Sequence, residues 1–526
     1  MSAADGIAAP LRITAFRRIW AASLFSNLGT LIQGVGVAWA MTEMTSSADK
    51  VAQVQTALGL PVMLIAMLAG AIADVHDRRL VALSSLCIAL CGAALLTLLA
   101  LMGLLTPNLL LLLCFAVGCG MALMGPAWQS AVNEQVPPEA VPAAVALNGI
   151  SFNMARSVGP AIGGLVLGLA GTMAVFALNA LCYVPLIVAL FLWKREAPRS
   201  RLPPEELRRA VLLGVRYIAN SPPIMIVLLR SIVMALIGAS ILALMPLVAR
   251  DLLDGGAGTF GLMFSAFGLG AVIGALNIAE VRSRMSGESA IRAAAMMIGL
   301  AFVVVAFSRG SIITAAALMV AGVGWTVSWT LFSIGVQLSA PRWVSGRALA
   351  AYQAAAAGGT AIGAWGWGHL ANSAGVEVAL FVSGLLMMAS TLIGIWLRMP
   401  RVTTPREQDH VLEDPTVQLP LSGHSGPLVI EIEYRIAPYN ARAFHDVMQE
   451  VQQTRQRNGA FGWSLARDIA DPDLWTERYH FPTWHDYLRY RNRPTASERL
   501  LEQKAIDFHL GEGKLHVRRR LQRPFD

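Results

Sequence analysis

The chain has 526 residues, of which 55% are hydrophobic and only 14% are charged, and its mean hydropathy is +0.56. These values exclude an ordinary soluble domain and are typical of a polytopic membrane protein. The formal net charge of +8 is better explained by basic loops beside a lipid bilayer than by nucleic-acid binding. We therefore expect a bilayer as the main partner and no nucleic acid.

Twelve long apolar segments follow one another before residue 398, six on each side of a charged middle segment. A hydrocarbon core about 30 Å thick takes roughly 20 helical residues to cross. The apolar runs are continuous rather than alternating, which favours helices over barrel strands. The predicted fold is an all-α polytopic membrane protein with 12 transmembrane helices in two six-helix halves. The predicted spans lie near 19–42, 52–74, 80–104, 108–131, 143–169, 172–193, 223–249, 258–280, 290–308, 311–338, 347–371 and 376–397.

Composition changes predict how the chain is divided into domains. The middle segment is too polar to span, and its pattern indicates an amphipathic helix on the inner membrane face. Beyond the last span, a Pro- and Ser-rich linker leads to a soluble tail with a β-α-β-β-α-β order, which predicts a small α+β domain of ferredoxin-like type. The predicted parts are 1–194 (first half), 195–220 (linker helix), 221–398 (second half), 399–426 (flexible linker) and 427–526 (tail).

The distribution of Lys and Arg predicts the orientation of the chain. Basic residues are concentrated in the loops on the side of the N-terminus, whereas the opposite loops hold only Lys50, Arg250 and Arg309. Cytoplasmic loops carry the excess of Lys and Arg in membrane proteins. We therefore expect a multi-pass protein of the bacterial inner membrane with both termini in the cytoplasm.

The loop between spans two and three, residues 70–79, carries a motif. It resembles the Gly-x-x-x-Asp-Arg-x-Gly-Arg-Arg signature of the major facilitator superfamily, with Val75 and Asp77 where the signature has Arg and Gly. Asp74 could pair with the opposing half and form a latch that opens with the inner gate; the alternative is an ordinary solvated basic loop. The predicted latch residues are Gly70, Asp74, Asp77, Arg78 and Arg79.

Span five carries a second motif, which resembles the Gly-Pro-x-x-Gly-Gly pattern that the superfamily associates with exporters. Proline removes a helix hydrogen bond, and glycine allows bending and close packing. The alternative is a packing kink without a role in transport. The predicted kink residues are Gly159, Pro160, Gly163 and Gly164.

Taken together, the motifs and the tail resemble one branch of the superfamily, the transmembrane secretion effectors, which are drug and siderophore exporters close to the enterobactin exporters. This resemblance covers nearly the whole chain and implies export of small molecules by alternating access. The tail resembles the antibiotic-biosynthesis monooxygenase type of ferredoxin-like domain, whose members commonly pair through their sheets. We expect a dimerising or regulatory module there rather than an enzyme, and no cofactor or metal.

Ionisable side chains inside the spans point to a substrate cavity, because their burial in lipid is costly. Arg156 lies near the middle of span five and Arg230 lies deep in span seven, with no acidic residue at comparable depth. We expect a cavity between the halves that receives an anionic group such as a carboxylate or catecholate. The alternative is that each arginine bonds to carbonyls and polar neighbours. The other predicted cavity residues are Gln33, Gln129, Asn153, Gln337 and Gln353.

The energy source is the least defined part of the sequence. No span has a central Asp or Glu, which leaves Asp74, Glu134 and His369 as candidates for proton coupling. No nucleotide-binding loop motif occurs, so ATP does not drive the chain directly. We expect a proton-coupled antiporter; the alternatives are an importer of an anionic metabolite, or a membrane-tethered sensor or enzyme acting through the tail.

Overall fold

The structure is a computed structural model that describes residues 8–137, 140–194, 207–400, 417–492, 496–510 and 515–522, apart from some side chains within its helices. The chain forms two compact units. The first contains Met1–Leu207, Ile226–Gly335 and Leu349–Arg401, and the second contains Arg208–Met225, Val336–Ala348 and Val402–Asp526.

Long apolar helices make up most of the first unit, while the ends of three of them and nearly all of one shorter helix belong to the second. The helices are α1 Thr14–Met44, α2 Ala48–Val75, α3 Arg78–Leu101, α4 Pro107–Gln135, α5 Val141–Leu192, α6 Leu207–Ala219, α7 Pro222–Leu247, α8 Ala257–Leu276, α9 Ile278–Arg284, α10 Gly287–Phe307, α11 Ser311–Ser339, α12 Arg342–Ala374, α13 Val376–Ala389 and α14 Ile393–Trp396. A π-helical turn, Val248–Leu252, follows α7.

The chain is mostly helical, and nine helical segments among the described residues are long and apolar enough to cross a membrane. The predicted number of twelve spans is therefore not confirmed. Three observations account for the difference. α5 covers the predicted spans five and six as one assigned helix, interrupted only at Gly171, whose φ is +77°. α12 is long enough, at 33 residues, but it is rich in Ala, Gly and polar residues and falls outside the nine. The 28-residue α2 is not among the nine either, because part of it lies outside the fully described residues.

The tail forms the larger part of the second unit, and its elements follow the predicted β-α-β-β-α-β order except that two helices, not one, lie between the third and fourth strands. The elements are β1 Leu428–Arg435, α15 Ala441–Arg457, β2 Phe461–Arg467, β3 Leu474–Phe481, α16 Trp484–Arg491, α17 Ala496–Ile506 and β4 His516–Leu521. The four strands form one antiparallel sheet in the order β2-β3-β1-β4. Phe444 and Met448 of α15 are buried with Ile430 and Phe481 of the sheet, which makes the core of the tail.

A buried ion pair lies within this tail core. Arg455 is 4% exposed and Glu477 is fully buried, and Nε of the arginine donates to the carboxylate at 3.1 Å. Trp463 and Tyr434 also donate to Glu477, at 3.0 and 3.2 Å. Burial, the largest single effect, lowers the pKa of Arg455, but Glu477, Tyr479 and Glu502 together outweigh it, so that the pKa is raised. The arginine therefore stays charged, and the pair fixes α15 against β3.

The linker helix α6 belongs to the same unit as the tail. The Arg216 guanidinium donates to the carbonyls of Gly459, at 3.4 Å, and of Ala460, just beyond the C-terminal end of α15. Tyr217 is 2% exposed, and the guanidinium carbon of Arg457 lies 5.3 Å from the centre of its ring. Burial raises the pKa of Tyr217 to about 12. The expected amphipathic helix is present, but this part of its surface is covered by protein rather than by lipid.

Tyr217→Ala should release α6 from the tail. Removing a buried aromatic side chain costs at least about 2 kcal/mol, which corresponds to roughly 30-fold more frequent local opening. Hydrogen exchange of residues 211–219 in the full chain should accelerate by about this factor. Leu212→Ala, at a side chain that is 56% exposed on the same helix, is the matched control and should leave the exchange rate nearly unchanged. Equal rates in the two variants would contradict the docking.

Candidate transport site and gates

The predicted latch segment, residues 70–79, runs from the last residues of α2 to the first residues of α3. The Asp77 carboxylate accepts hydrogen bonds from the backbone N–H groups of Arg79, at 2.9 Å, and Leu80, at 3.4 Å, so it caps the helix. Nε of Arg79 donates to the Leu190 carbonyl at 2.8 Å, and another of its nitrogens donates to the Phe191 carbonyl. These carbonyls are at the C-terminal end of α5, where a cation is stabilised by the helix dipole. Asp77 thus caps α3, and Arg79 fastens α3 to α5.

Arg78 and Glu134, which the sequence assigned to two different roles, form an ion pair. NH1 of the arginine lies 2.8 Å from the carboxylate, and the side chains are 26% and 4% exposed. The pair joins α3 to α4, both in the first half. Gly70 and the side chain of Asp74 lie outside the described residues, so the expected pairing of Asp74 with the second half stays a prediction.

The first two glycines of the span-five motif let α5 pack closely on α1. A Cβ atom on Gly159 would lie 3.0 Å from Cβ of Leu31, and one on Gly163 would lie 3.2 Å from Cα of Ile32. Pro160 is buried beside them. Because about nine in ten real Cβ contacts are longer than this, a side chain at either position would require α1 to give way by a few tenths of an ångström.

Gly164 brings the two halves of the chain into contact. A Cβ atom placed on Gly164 of α5 would lie 2.5 Å from Cα of Gly261 on α8, and the reverse substitution gives the same distance. The Cα atoms of Gly164 and Gly261 belong to the backbone, so neither can move aside unless its helix moves. The fourth residue of the predicted kink motif is therefore a contact between the halves.

Further contacts join the halves at the end where α1 and α7 end, which we call the closed end. The Arg250 guanidinium, just after α7, donates to the carbonyls of Thr42, at 3.1 Å, and Thr45, at 3.4 Å, which lie at the end of α1. The rings of Trp39 and Phe260 stack with their centres 6.0 Å apart. Gly164 and Gly261 lie near the same end, because α8 begins there.

α2 and α12 join the halves on the other side of the bundle. The hydroxyl group of Thr56 donates to the carbonyl of Ala361 at 2.8 Å. A Cβ atom on Gly59 would lie 3.0 Å from the Ala357 carbonyl oxygen. Among the described residues, these contacts between the halves involve small residues, backbone carbonyls, the Arg250 guanidinium and a pair of aromatic rings.

Arg230 has an acidic partner, contrary to the expectation that no carboxylate lies at its depth. The arginine is 6% exposed and pairs with Glu288, which also accepts from Nε of Arg292, at 2.8 Å, and from the backbone N–H of Met399, at 3.0 Å. NH1 of Arg230 also donates to the Leu397 carbonyl at 3.2 Å. The cluster joins the start of α10 to the chain just beyond α14, and it accounts for the buried charge without a substrate.

Two of the predicted glutamines lie between helices and one lies on the surface. Gln33 is buried and accepts a hydrogen bond from Asn179 of α5. Oε1 of Gln353 on α12 faces Gly125 on α4, 3.6 Å from the position of a Cβ atom there. Gln337 is exposed. Gln353 is thus placed between the two halves, whereas Gln33 joins two helices of the first half.

The remaining candidates divide into an exposed residue and several that cannot be placed. His369 lies on the exposed side of α12, where its ring is tilted by 45° against the ring of Trp365 with ring centres 4.7 Å apart. The side chains of Gln129, Asn153 and Arg156 lie outside the described residues. Their predicted roles stay predictions.

Sequence reasoning missed three residues with defined contacts. Asn179 and Glu288 lie in or at the start of spans, and each bonds to a residue that was predicted to face a substrate. Gly261 lies near the start of span eight without a motif around it. A polar residue within a span signals a partner, but only the packing of the helices shows which partner it has.

Comparison with solved structures shows that the bundle of two halves shares its fold with known transporters. A transporter of the POT family in complex with a thioalcohol-conjugated peptide matches 74% of this chain and 96% of its own, with a TM-score of 0.60 and 14% identity. A bacterial homologue of the human lysosomal transporter Spinster, solved in an inward-facing and unoccupied conformation, matches 73% of this chain and 95% of its own, with a TM-score of 0.56 and 13% identity.

The chain belongs to the family described as transmembrane secretion effectors, whose profile matches residues 5–525. The multidrug efflux pump Tap of Mycolicibacterium fortuitum is 26% identical over 389 residues, which cover 72% of this chain and 94% of the pump. The enterobactin exporter EntS of Shigella flexneri is 29% identical over 265 residues, 50% of this chain and 62% of the exporter. The protein is therefore a multi-pass membrane transporter for small molecules and not an enzyme.

Glu134→Gln should separate the structural role of the ion pair with Arg78 from a role in proton coupling. Removing one partner of a mostly buried pair leaves a charge without its counterion, so the melting temperature should fall, and Arg78→Gln in addition should restore part of the loss. Glu280→Gln, at an exposed pair with Arg284, is the control and should change little.

The same variant, reconstituted in vesicles, reports on coupling. If Glu134 only fastens α3 to α4, efflux driven by a proton gradient and downhill exchange without a gradient should fall together. Loss of gradient-driven efflux with normal exchange would instead assign the coupling proton to Glu134.

Proposed function

We propose that this protein exports small drug- or siderophore-like molecules across the bacterial inner membrane by alternating access, as a proton-coupled antiporter with both termini in the cytoplasm. The observation that carries this proposal is the contact of the exporter-associated motif on α5 with α8 of the other half, at Gly164 and Gly261. At this position the motif would let the two halves pack closely in one state of the transport cycle and separate in the other.

The contacts at the closed end support an assignment of this conformation to the inward-facing step of the transport cycle. In the proposed orientation α1 ends on the outer side, so contacts of Arg250 with Thr42 and Thr45 close the outer gate. The space between the halves would then open toward the cytoplasm, where an exporter loads its substrate. The likeness in fold to a transporter solved in an inward-facing conformation agrees with this assignment.

The substrate would bind between the halves near the middle of the membrane, where transporters of this architecture place their sites. Gln353 faces Gly125 of the other half, toward the cytoplasmic ends of the predicted spans, and supplies an amide for hydrogen bonding. Arg156, on the same helix as the glycine contact, would supply a positive charge and favour substrates with a carboxylate or catecholate. Arg230 contributes less, because Glu288 already neutralises it.

The tail is proposed to be a ferredoxin-like regulatory or dimerising module. The antiparallel order β2-β3-β1-β4, with α15 between β1 and β2 and two helices between β3 and β4, supports this fold. β2 and β4 are the edge strands, and edge strands offer unpaired backbone groups to a second sheet. The contact of the tail with α6 supports a regulatory role, since α6 connects the two halves.

Export is tested by the accumulation of dyes, antibiotics and a catecholate siderophore in efflux-deficient cells with and without this protein. Cells that contain it should accumulate less of at least one compound, and the difference should vanish when the proton gradient is collapsed. Uptake into inverted vesicles fixes the direction, because an exporter loads them while an importer empties them.

Arg156→Gln completes this experiment, because it retains a polar side chain but removes the charge. Efflux of anionic compounds should fall at least about tenfold while efflux of neutral dyes is retained, since about 1.4 kcal/mol of substrate binding corresponds to that factor. Equal efflux of both classes would remove Arg156 from the cavity, and no transport of any compound in either direction would contradict the proposed function.

Gly164→Ala should impair closure of the outer gate. The new Cβ atom would meet the Gly261 backbone at 2.5 Å, so the halves must separate there, and transport should fall severely. Gly168→Ala is the matched control on the same helix, because its Cβ atom would meet nothing within 4 Å. A thiol reagent from the outside should label Thr42→Cys faster in the Gly164→Ala background than in the control; equal labelling would show that the contact does not close the gate.

A further inference from the structure

A groove of about 820 Å³ runs between the first turns of α1 and the last turns of α5. Its volume lies in the upper part of the range of 300–1,000 Å³ that is typical of sites for small ligands. It is a feature of the first half alone and takes no part in the contacts between the halves described above.

The wall and floor of the groove are apolar. Ala15, Ala22 and Ala189 are small lining residues, while Phe25 and Val188 border it and are 52% and 48% exposed. Pro185 also lines the groove, and a proline inside a helix removes a backbone hydrogen bond and bends it away from its neighbour. The groove thus offers hydrocarbon contacts on helices that lie within the membrane.

One end of the groove is cationic. Arg18, on the second turn of α1, and Lys194, two residues after the end of α5, both line it, and none of the described residues that line it is acidic. Both side chains are exposed, and neither makes an ion pair within the described part of the chain. Arg79 also contacts this end of α5, but its guanidinium is occupied by the carbonyls of Leu190 and Phe191.

We propose that this groove binds an anionic phospholipid, with its acyl chains along the apolar wall and its phosphate between Arg18 and Lys194. Basic pockets between membrane helices bind anionic headgroups in this manner. Charge complementarity decides against the alternatives: two unpaired cations repel a cationic drug and give a zwitterionic lipid less attraction. Trp193, which also lines the groove, is of the residue type enriched at the headgroup level.

The test uses the purified full chain and native mass spectrometry, with phosphatidylglycerol and phosphatidylcholine that carry the same acyl chains. The wild type should retain phosphatidylglycerol at least about tenfold better than phosphatidylcholine. Arg18→Gln with Lys194→Gln should lower this retention at least about fivefold. Arg282→Gln with Arg442→Gln, which removes the same charge from two other exposed positions, should leave it unchanged.

Two further arms distinguish a lipid site from a site for a free phosphate ester. Ala189→Phe narrows the groove without a change of charge and should also lower retention, whereas free glycerol 1-phosphate should not displace the lipid. Equal retention of the two lipids, retention unaffected by the double variant, or displacement by glycerol 1-phosphate would each overturn the proposal. Thermal melting of every variant confirms that it is folded, and none of these readouts depends on transport.

Discussion

Close approach of helix backbones at glycine is the constraint on which the rest of the bundle depends. Lipid tails are as apolar as leucine, so helices in a membrane are not driven together by the hydrophobic effect and rely on packing and hydrogen bonds. Gly164 and Gly261 supply such packing between the halves, and Gly159 and Gly163 supply it between α1 and α5. The Gly164–Gly261 contact excludes even one methyl group, whereas a methyl group at Gly159 or Gly163 would push its neighbour by a few tenths of an ångström.

Ion pairs in the described part of the first unit join helices within one half, whereas the contacts between the halves involve few charges. The ion pairs Arg78–Glu134 and Arg230–Glu288 each join helices of one half, whereas Arg250 crosses between the halves by way of carbonyl oxygens. Separating a buried ion pair is costly, since each charge would be left in a medium of low dielectric constant. A surface of glycines and carbonyls can part at much lower cost. This division suits two halves that are rigid within themselves and move relative to each other.

The sequence predicted the secondary-structure elements, because their formation depends on residues that are close together in the chain. The strands and helices of the tail follow from alternation and helical periodicity, and the apolar helices follow from continuous hydrophobic runs. The partner of Arg230 could not be predicted, because Glu288 is 58 residues away and meets it only through the packing of α7 against α10. For the same reason, the motif predicted close packing at Gly164 but not its partner. A glycine motif shows that a helix lacks bulky side chains on one face, but not which helix packs against that face.

The linker helix shows a related limit, and it has an energetic consequence. An amphipathic pattern predicts a half-buried helix, but it does not distinguish a lipid surface from a protein surface. α6 has only 13 residues, and isolated helices of that length are marginal in water. Its stability must therefore come from what covers it, and Tyr217 and Arg216 are covered by the tail. The stabilities of α6 and the tail are therefore coupled, and because such coupling is reciprocal, a change that loosens one of them at this contact also loosens the other.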